Sequence, residues 1–120
     1  MRATFGDGIQ ILALGTNAVV TSLMLKAGAN EGASGENAIV LNAPKVDVII
    51  GSVAILAANT MLGELTPRMA EAISTSPAKK ILLPLNRCGL YVVGTRQESL
   101  LQYIDDAVIL IKEWSAMQNA

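Results

Sequence analysis

The sequence predicts an α/β fold of the Rossmann-like, three-layer kind, built on a mostly parallel sheet. Three observations carry that expectation. Short aliphatic runs alternate with segments of helical character along the chain. Of the 120 residues 52% are apolar but only 3% aromatic, so the interior is built from Ala, Val, Ile and Leu, which suits strands covered by helices on both faces. Small or polar residues stand where the strands should end. At this length a single domain spanning residues 1–120 is expected, burying about two-thirds of its unfolded surface.

Residues 1–5 read as the last turn of a helix, stopped by Gly6-Asp7-Gly8, and residues 9–14 as a buried strand. Gly15-Thr16-Asn17 then opens a helix over residues 18–27, with Thr16 or Asn17 as N-cap and Gly28 just past its end. Residues 29–33 allow only a very short strand. Ser34 or Gly35 caps a short helix from 36 to about 43, which Pro44 stops. Residues 46–50 form a second clear strand, and Ser52 opens a helix over 53–62 that is apolar all round and must be covered on most sides. Gly63 ends it. Thr66 and Pro67, N-cap and N1 proline, start another that runs to about 74. Residues 80–85 are the third clear strand and 90–93 a further one, joined through Asn86-Arg87-Cys88-Gly89. Thr95 and Glu98 have the spacing of a capping box. The helix after them places Leu100, Ile104, Ala107, Val108 and Ile111 on one face and Asp105, Asp106, Lys112 and Glu113 towards water, with a tail that frays from Ser115.

Composition excludes several functions. A formal charge of −1 with scattered Lys and Arg gives no footprint for a nucleic-acid backbone. The single cysteine, Cys88, rules out an internal disulfide and fits a reducing compartment; with no signal peptide visible after Met1, a cytoplasmic location is expected. The uncharged run from Val48 to Gly63 is shorter than the roughly 20 residues needed to span a bilayer and contains Gly51, Ser52, Asn59 and Thr60. It reads as strand then helix, not as a membrane span. With no histidine, Ser-His-Asp and Cys-His catalysis are excluded, as are the commonest transition-metal sites, and no metal is expected.

Parallel strands with right-handed crossovers bring their carboxyl ends to one edge, where ligands of open α/β sheets collect. Four segments fall there: Gly15-Thr16-Asn17, Ser34-Gly35-Glu36-Asn37, Gly51-Ser52 and Asn86-Arg87-Cys88. Each alone is explicable as turn former or cap. Together with the free amides of helix N-termini they point to a nucleotide or another phosphorylated small molecule, bound by Gly15, Thr16, Asn17, Gly35, Glu36, Gly51, Ser52, Asn86 and Arg87. Arg87 could clamp a phosphate in two-pronged fashion or pair with Glu36 or Glu64. Cys88 is a nucleophile whose thiol pKa Arg87 lowers, or a small packing residue. Glu36 is a catalytic base or a charge at a helix start. Two other readings stay open: a non-catalytic structural or regulatory subunit whose apolar groove receives a partner chain, and a small enzyme using Cys88 or Glu36 with Arg87.

The strings Leu14-Gly15-Thr16-Asn17-Ala18, Met24-Leu25-Lys26-Ala27-Gly28-Ala29-Asn30-Glu31-Gly32-Ala33-Ser34-Gly35-Glu36-Asn37-Ala38-Ile39 and Pro84-Leu85-Asn86-Arg87-Cys88 resemble an uncharacterised bacterial family, a small domain of unknown function, over nearly the whole chain. The resemblance implies that full-length members begin with one more strand and a glycine-rich turn, so this chain is expected to be N-terminally truncated. It implies no activity. A wider, partial similarity is to Rossmann-like nucleotide-binding domains. Their glycine fingerprint is absent from these 120 residues, and the strand ending at Leu14 lacks both the acid that holds a ribose and an Arg for a 2′-phosphate. Thr16 and Asn17 remain available to a ribose or a phosphate. In the usual order a further strand lies between residues 9–14 and 46–50. Without it those two strands pair directly, or they leave a groove lined by Ile11, Ala13, Val48 and Ile50 and a chain that is marginal or self-associating as a homo-oligomer.

Overall fold

A computed structural model describes residues 9–60, 62–85, 89–96 and 98–118. The expected helix end over residues 1–5 and the stop at Gly6-Asp7-Gly8 lie outside them, as do Asn86, Arg87 and Cys88. The protein is mixed α/β: β1 (Leu12–Gly15), α1 (Ala18–Lys26), β2 (Glu31–Ser34), α2 (Glu36–Asn42), β3 (Val48–Ser52), α3 (Pro67–Thr75), β4 (Lys79–Leu83) and α4 (Leu100–Gln118), with single 3-10 turns at Ala43–Lys45 and Val53–Leu56.

Both strand pairings are parallel, β1 with β2 from Leu12 opposite Glu31 and β3 with β4 from Val48 opposite Lys79. One sheet was expected; the strands instead form two separate two-stranded ladders, because β1 and β3 do not pair. Each ladder belongs to a strand-helix-strand unit, the connection that parallel pairing requires.

Sequence explains why these segments stop where they do. At the end of α1 the amides of Gly28 and Ala29 donate to the carbonyls of Leu25 and Met24, closing the helix in the pattern expected of Gly28. Gly35, with φ of 90°, turns the chain from β2 into α2 in a conformation that side-chain-bearing residues avoid. Thr66 caps α3 through the Met69 amide at 3.2 Å, with Pro67 in the first turn, as the sequence indicates.

Two apolar clusters hold the elements. Ile39, Ala43, Leu65, Met69 and Ile73 are buried between α2 and α3, with Leu14 of β1 and Ile49 of β3 packed against them. On the other face of β3, Val48 and Ile50 join Leu83 against Ile81, Ala107 and Ile111, which seats α4. The expected apolar face of α4 is largely present, with Ala107, Val108 and Ile111 buried, although Leu100 is half exposed. Asp105, Asp106, Lys112 and Glu113 face water.

Four local expectations are corrected. The helix over 53–62 is a single 3-10 turn followed by turns in which Asn59 and Leu62 take positive φ. Its backbone is diverted locally: Ser52 Oγ accepts from the Ala54 amide, the Thr60 hydroxyl donates to the carbonyls of Ala54 and Ala57, and the Asn59 amide donates to the Leu65 carbonyl. The segment 90–93 forms no strand, since no neighbouring strand pairs with it, and Tyr91 and Val93 stand exposed. Thr95 and Glu98 do not box the last helix, because the Thr95 hydroxyl turns back to the Val92 carbonyl and Ser99 accepts the Gln102 amide instead. Nor does the tail fray at Ser115; α4 continues to Gln118.

Candidate functional site

Two of the expected carboxyl-edge segments come together, at the ends of β1 and β2, and they meet a segment not chosen from the sequence. The Gly35 amide donates to the Gly15 carbonyl at 3.0 Å, which sets the start of α2 beside the end of β1. From the turn after β1, the Thr16 hydroxyl donates to Glu64 Oε2 at 3.1 Å and the Asn17 amide group donates to the same carboxylate at 3.4 Å. After β2, Glu36 Oε1 accepts from the Thr66 hydroxyl at 2.6 Å, and its Oε2 lies 3.5 Å from Arg68 Nη1. Glu64 and the N-cap Thr66 belong to the connection between β3 and α3, and Arg68 to the first turn of α3. The carboxyl ends of β1 and β2 therefore share one edge with the segment that leads into α3.

The electrostatic character of this edge differs from a bare phosphate cradle. Two carboxylates face two hydroxyls, a carboxamide and one guanidinium. Arg68 is 70% exposed by its side chain, so its pair with Glu36 is screened and worth at most about 1 kcal/mol. The hydrogen bonds that neutral donors make to the two carboxylates organise the cluster. Thr66 does double duty, its oxygen accepting from Met69 as a cap while its proton goes to Glu36. Thr66→Ala removes both, and the expected loss is about 1 to 2 kcal/mol in urea unfolding, larger than that of Arg68→Ala.

Gly15, Gly51 and Ser52 also make local structural contacts. Gly15 leaves room for Thr21, whose hydroxyl would be 2.3 Å from an added Cβ, and Gly51 leaves room for Ile55, 3.0 Å from one. Ser52 caps the turn after β3. Asn86, Arg87 and Cys88, and with them the proposed Arg87 pairing, lie outside the described residues. A cleft of about 490 Å³ opens beyond the carboxyl end of β4, lined by Leu83, Pro84, Thr95, Arg96, Tyr103 and Asp106 among others. A larger one, about 660 Å³, lies at the opposite end of the strands between Lys45, Asp47, Lys79, Lys80 and Trp114, away from the polar edge.

Sequence reasoning missed Glu64, Thr66 and Arg68 as members of this cluster. The signal was topological: a loop that leaves a parallel strand and enters a helix must cross the carboxyl edge, and Glu64 sits in that loop just ahead of the Thr66 cap. Among the described residues no group of three acidic or sulfur ligands could hold a metal, and no helix is long and apolar enough to cross a membrane. No curated protein and no solved structure matches the chain. Residues 1–116 match the family described as Domain of unknown function (DUF3842), and the chain belongs to that family.

Proposed function

We propose that this protein is a single Rossmann-like domain that binds a nucleotide or a similar phosphorylated ribose at the edge where Thr16, Asn17, Glu36, Glu64, Thr66 and Arg68 meet. The observation that carries the reading is the placement of Glu64. Nucleotide-binding domains of this kind hold a ribose through an acidic side chain near the end of a central strand. The end of β1 has none in sequence, but the loop after β3 delivers the Glu64 carboxylate to it, 3.1 Å from the Thr16 hydroxyl. A carboxylate accepts from ribose hydroxyls, and Glu36 offers a second one within the same cluster. Exposed Arg68, with Arg87 from the next connection, supplies the positive charge for a phosphate.

Binding to the folded state raises the melting temperature, by an amount that corresponds to about 2.7 kcal/mol at a hundredfold excess over Kd. A panel of nucleoside mono-, di- and triphosphates, with inorganic phosphate for comparison, is expected to give an upward shift for nucleotides beyond that of phosphate. Glu64→Gln, which keeps shape and removes charge, is expected to reduce the shift strongly, and Arg87→Ala to reduce it for the phosphorylated forms relative to the nucleoside. A nucleotide shift unchanged by Glu64→Gln would place the ligand elsewhere.

A further inference from the structure

We propose that the cleft at the amino ends of β3 and β4 is a second binding site, for a small molecule that joins a planar aromatic ring to a doubly charged anion such as a phosphate monoester. The fold assembles the charge. Lys45, Lys79 and Lys80 belong to a chain whose formal charge is −1, yet all three line this cleft, and Asp47 is the one opposing charge among the lining residues. Lys45, Asp47 and Lys79 are exposed, and among the described residues no hydrogen bond or ion pair occupies the ammonium groups of Lys45 and Lys79. The cleft volume of about 660 Å³ suits a small molecule, for which pockets run from about 300 to 1,000 Å³.

The walls of the cleft are tied together. Two loops carry the lysines, and one buried side chain joins them: the Ser76 hydroxyl, on a residue 6% exposed, donates to the Ala43 carbonyl at 2.6 Å and accepts from the Ala78 amide at 3.1 Å. The first bond of the β3–β4 ladder, from the Lys79 amide to the Asp47 carbonyl at 3.0 Å, fixes the spacing of the two rims. Lys80 is preorganised as well. Its Nζ donates to the carbonyls of Ser76 at 2.7 Å and Ala78 at 3.3 Å, which leaves one of its three protons for a ligand and little side-chain freedom to lose when an anion arrives.

Trp114 supplies the other half of the recognition. α4 runs back along β4, from Ala107 beside Leu83 at one end to Trp114 beside Lys79 at the other. Ile111, buried against the strands, anchors the turn before it, and the indole three positions on lines the cleft half-buried. It is the single tryptophan of the chain. An indole on the wall of a charged cleft offers a flat apolar face to a ring, while three ammonium groups against one carboxylate leave a surplus of two positive charges for a dianion. Neither half holds a ligand well by itself. Exposed lysines are screened by water and salt, so a bare phosphate is held weakly, and one indole face does little for a neutral ring. A molecule carrying both groups engages both walls at once.

The single tryptophan makes the test direct. Phenyl phosphate is titrated into the full chain while Trp114 emission is followed, beside inorganic phosphate and phenol, which carry the charge and the ring separately. A saturable change in emission is expected with phenyl phosphate, and binding weaker by about tenfold or more with either control. Lys45→Gln together with Lys79→Gln, at two exposed positions, is expected to weaken phenyl phosphate by about tenfold. Asp47→Asn is expected to tighten it by about two- to fivefold, since the opposing charge is gone. Glu64→Gln should bind phenyl phosphate as the unsubstituted chain does, which separates this cleft from the site at the ends of β1 and β2. Binding of inorganic phosphate or phenol as tight as that of phenyl phosphate, an emission change that never saturates, or a titration unmoved by the lysine and aspartate substitutions would each overturn the proposal.

Discussion

Leu65→Ala is expected to lower the free energy of unfolding by about 3 kcal/mol, visible as a shift of the urea midpoint at unchanged slope and as a fall in Tm of roughly 10 °C or more. Leu65 lies in an irregular loop, where most substitutions are mild. Its side chain is nevertheless 1% exposed and inserts among Ile39, Ala43, Met69 and Ile73, the cluster that joins α2 to α3 and receives both β1 and β3. The loop cannot collapse to fill the void, because its backbone is anchored on both sides of the residue: the Leu65 amide donates to the Thr60 carbonyl and the Leu65 carbonyl accepts from Asn59. Leu62, three residues earlier and fully exposed, is the control. Leu62→Ala should leave the midpoint within about 0.5 kcal/mol of its original value.

Gly15→Ala is expected to cost about 1 to 3 kcal/mol, although the change adds a single methyl group. That methyl would lie 2.3 Å from the Thr21 hydroxyl oxygen and 3.0 Å from both the Asn17 carbonyl oxygen and the Thr21 amide nitrogen. Two of the three obstacles are backbone. The third is held in place, since Thr21 Oγ1 donates towards the carbonyls of Asn17 and Ala33 and accepts from Ser34 Oγ at 2.8 Å. Pushing α1 outward would carry Asn17 with it and loosen its contact with Glu64. The double variant Gly15→Ala with Thr21→Ala relieves the closest clash and should therefore be less destabilised than the sum of the two single changes, while the backbone contacts keep it below the parent.

Element identity was legible wherever one local signal dominated. Pro67 behind Thr66 announced α3, Gly28 announced the end of α1, and the aliphatic runs around Ile49 and Ile81 announced β3 and β4. Legibility failed where hydrophobicity outweighed side-chain hydrogen bonding. The run from Val53 is apolar enough for a helix, but the Ser52 and Thr60 side chains offer its backbone other partners, and the Asn59 main-chain amide donates forward to the Leu65 carbonyl. The 90–93 run has strand composition but, among the described residues, no strand to pair with, and pairing is a property of the whole fold. At the polar edge, Thr16, Asn17 and Glu36 could be read from strand ends. Glu64 could not be weighted without knowing that its loop reaches the end of β1, nor Arg68 without knowing that the first turn of α3 meets Glu36. Glu36 faces Thr66 and Arg68.

The two separate ladders have a mechanical consequence. In a continuous sheet, displacement of one strand is resisted by a row of directional amide bonds that break together. Here the halves are coupled by interdigitated methyl groups around Leu14 and Ile49 and by polar clasps through Glu64 and Glu36. Such coupling is short in range and forgiving in angle, so the least costly deformation of this protein is a breathing motion that widens or narrows the seam between its halves while each half keeps its own shape.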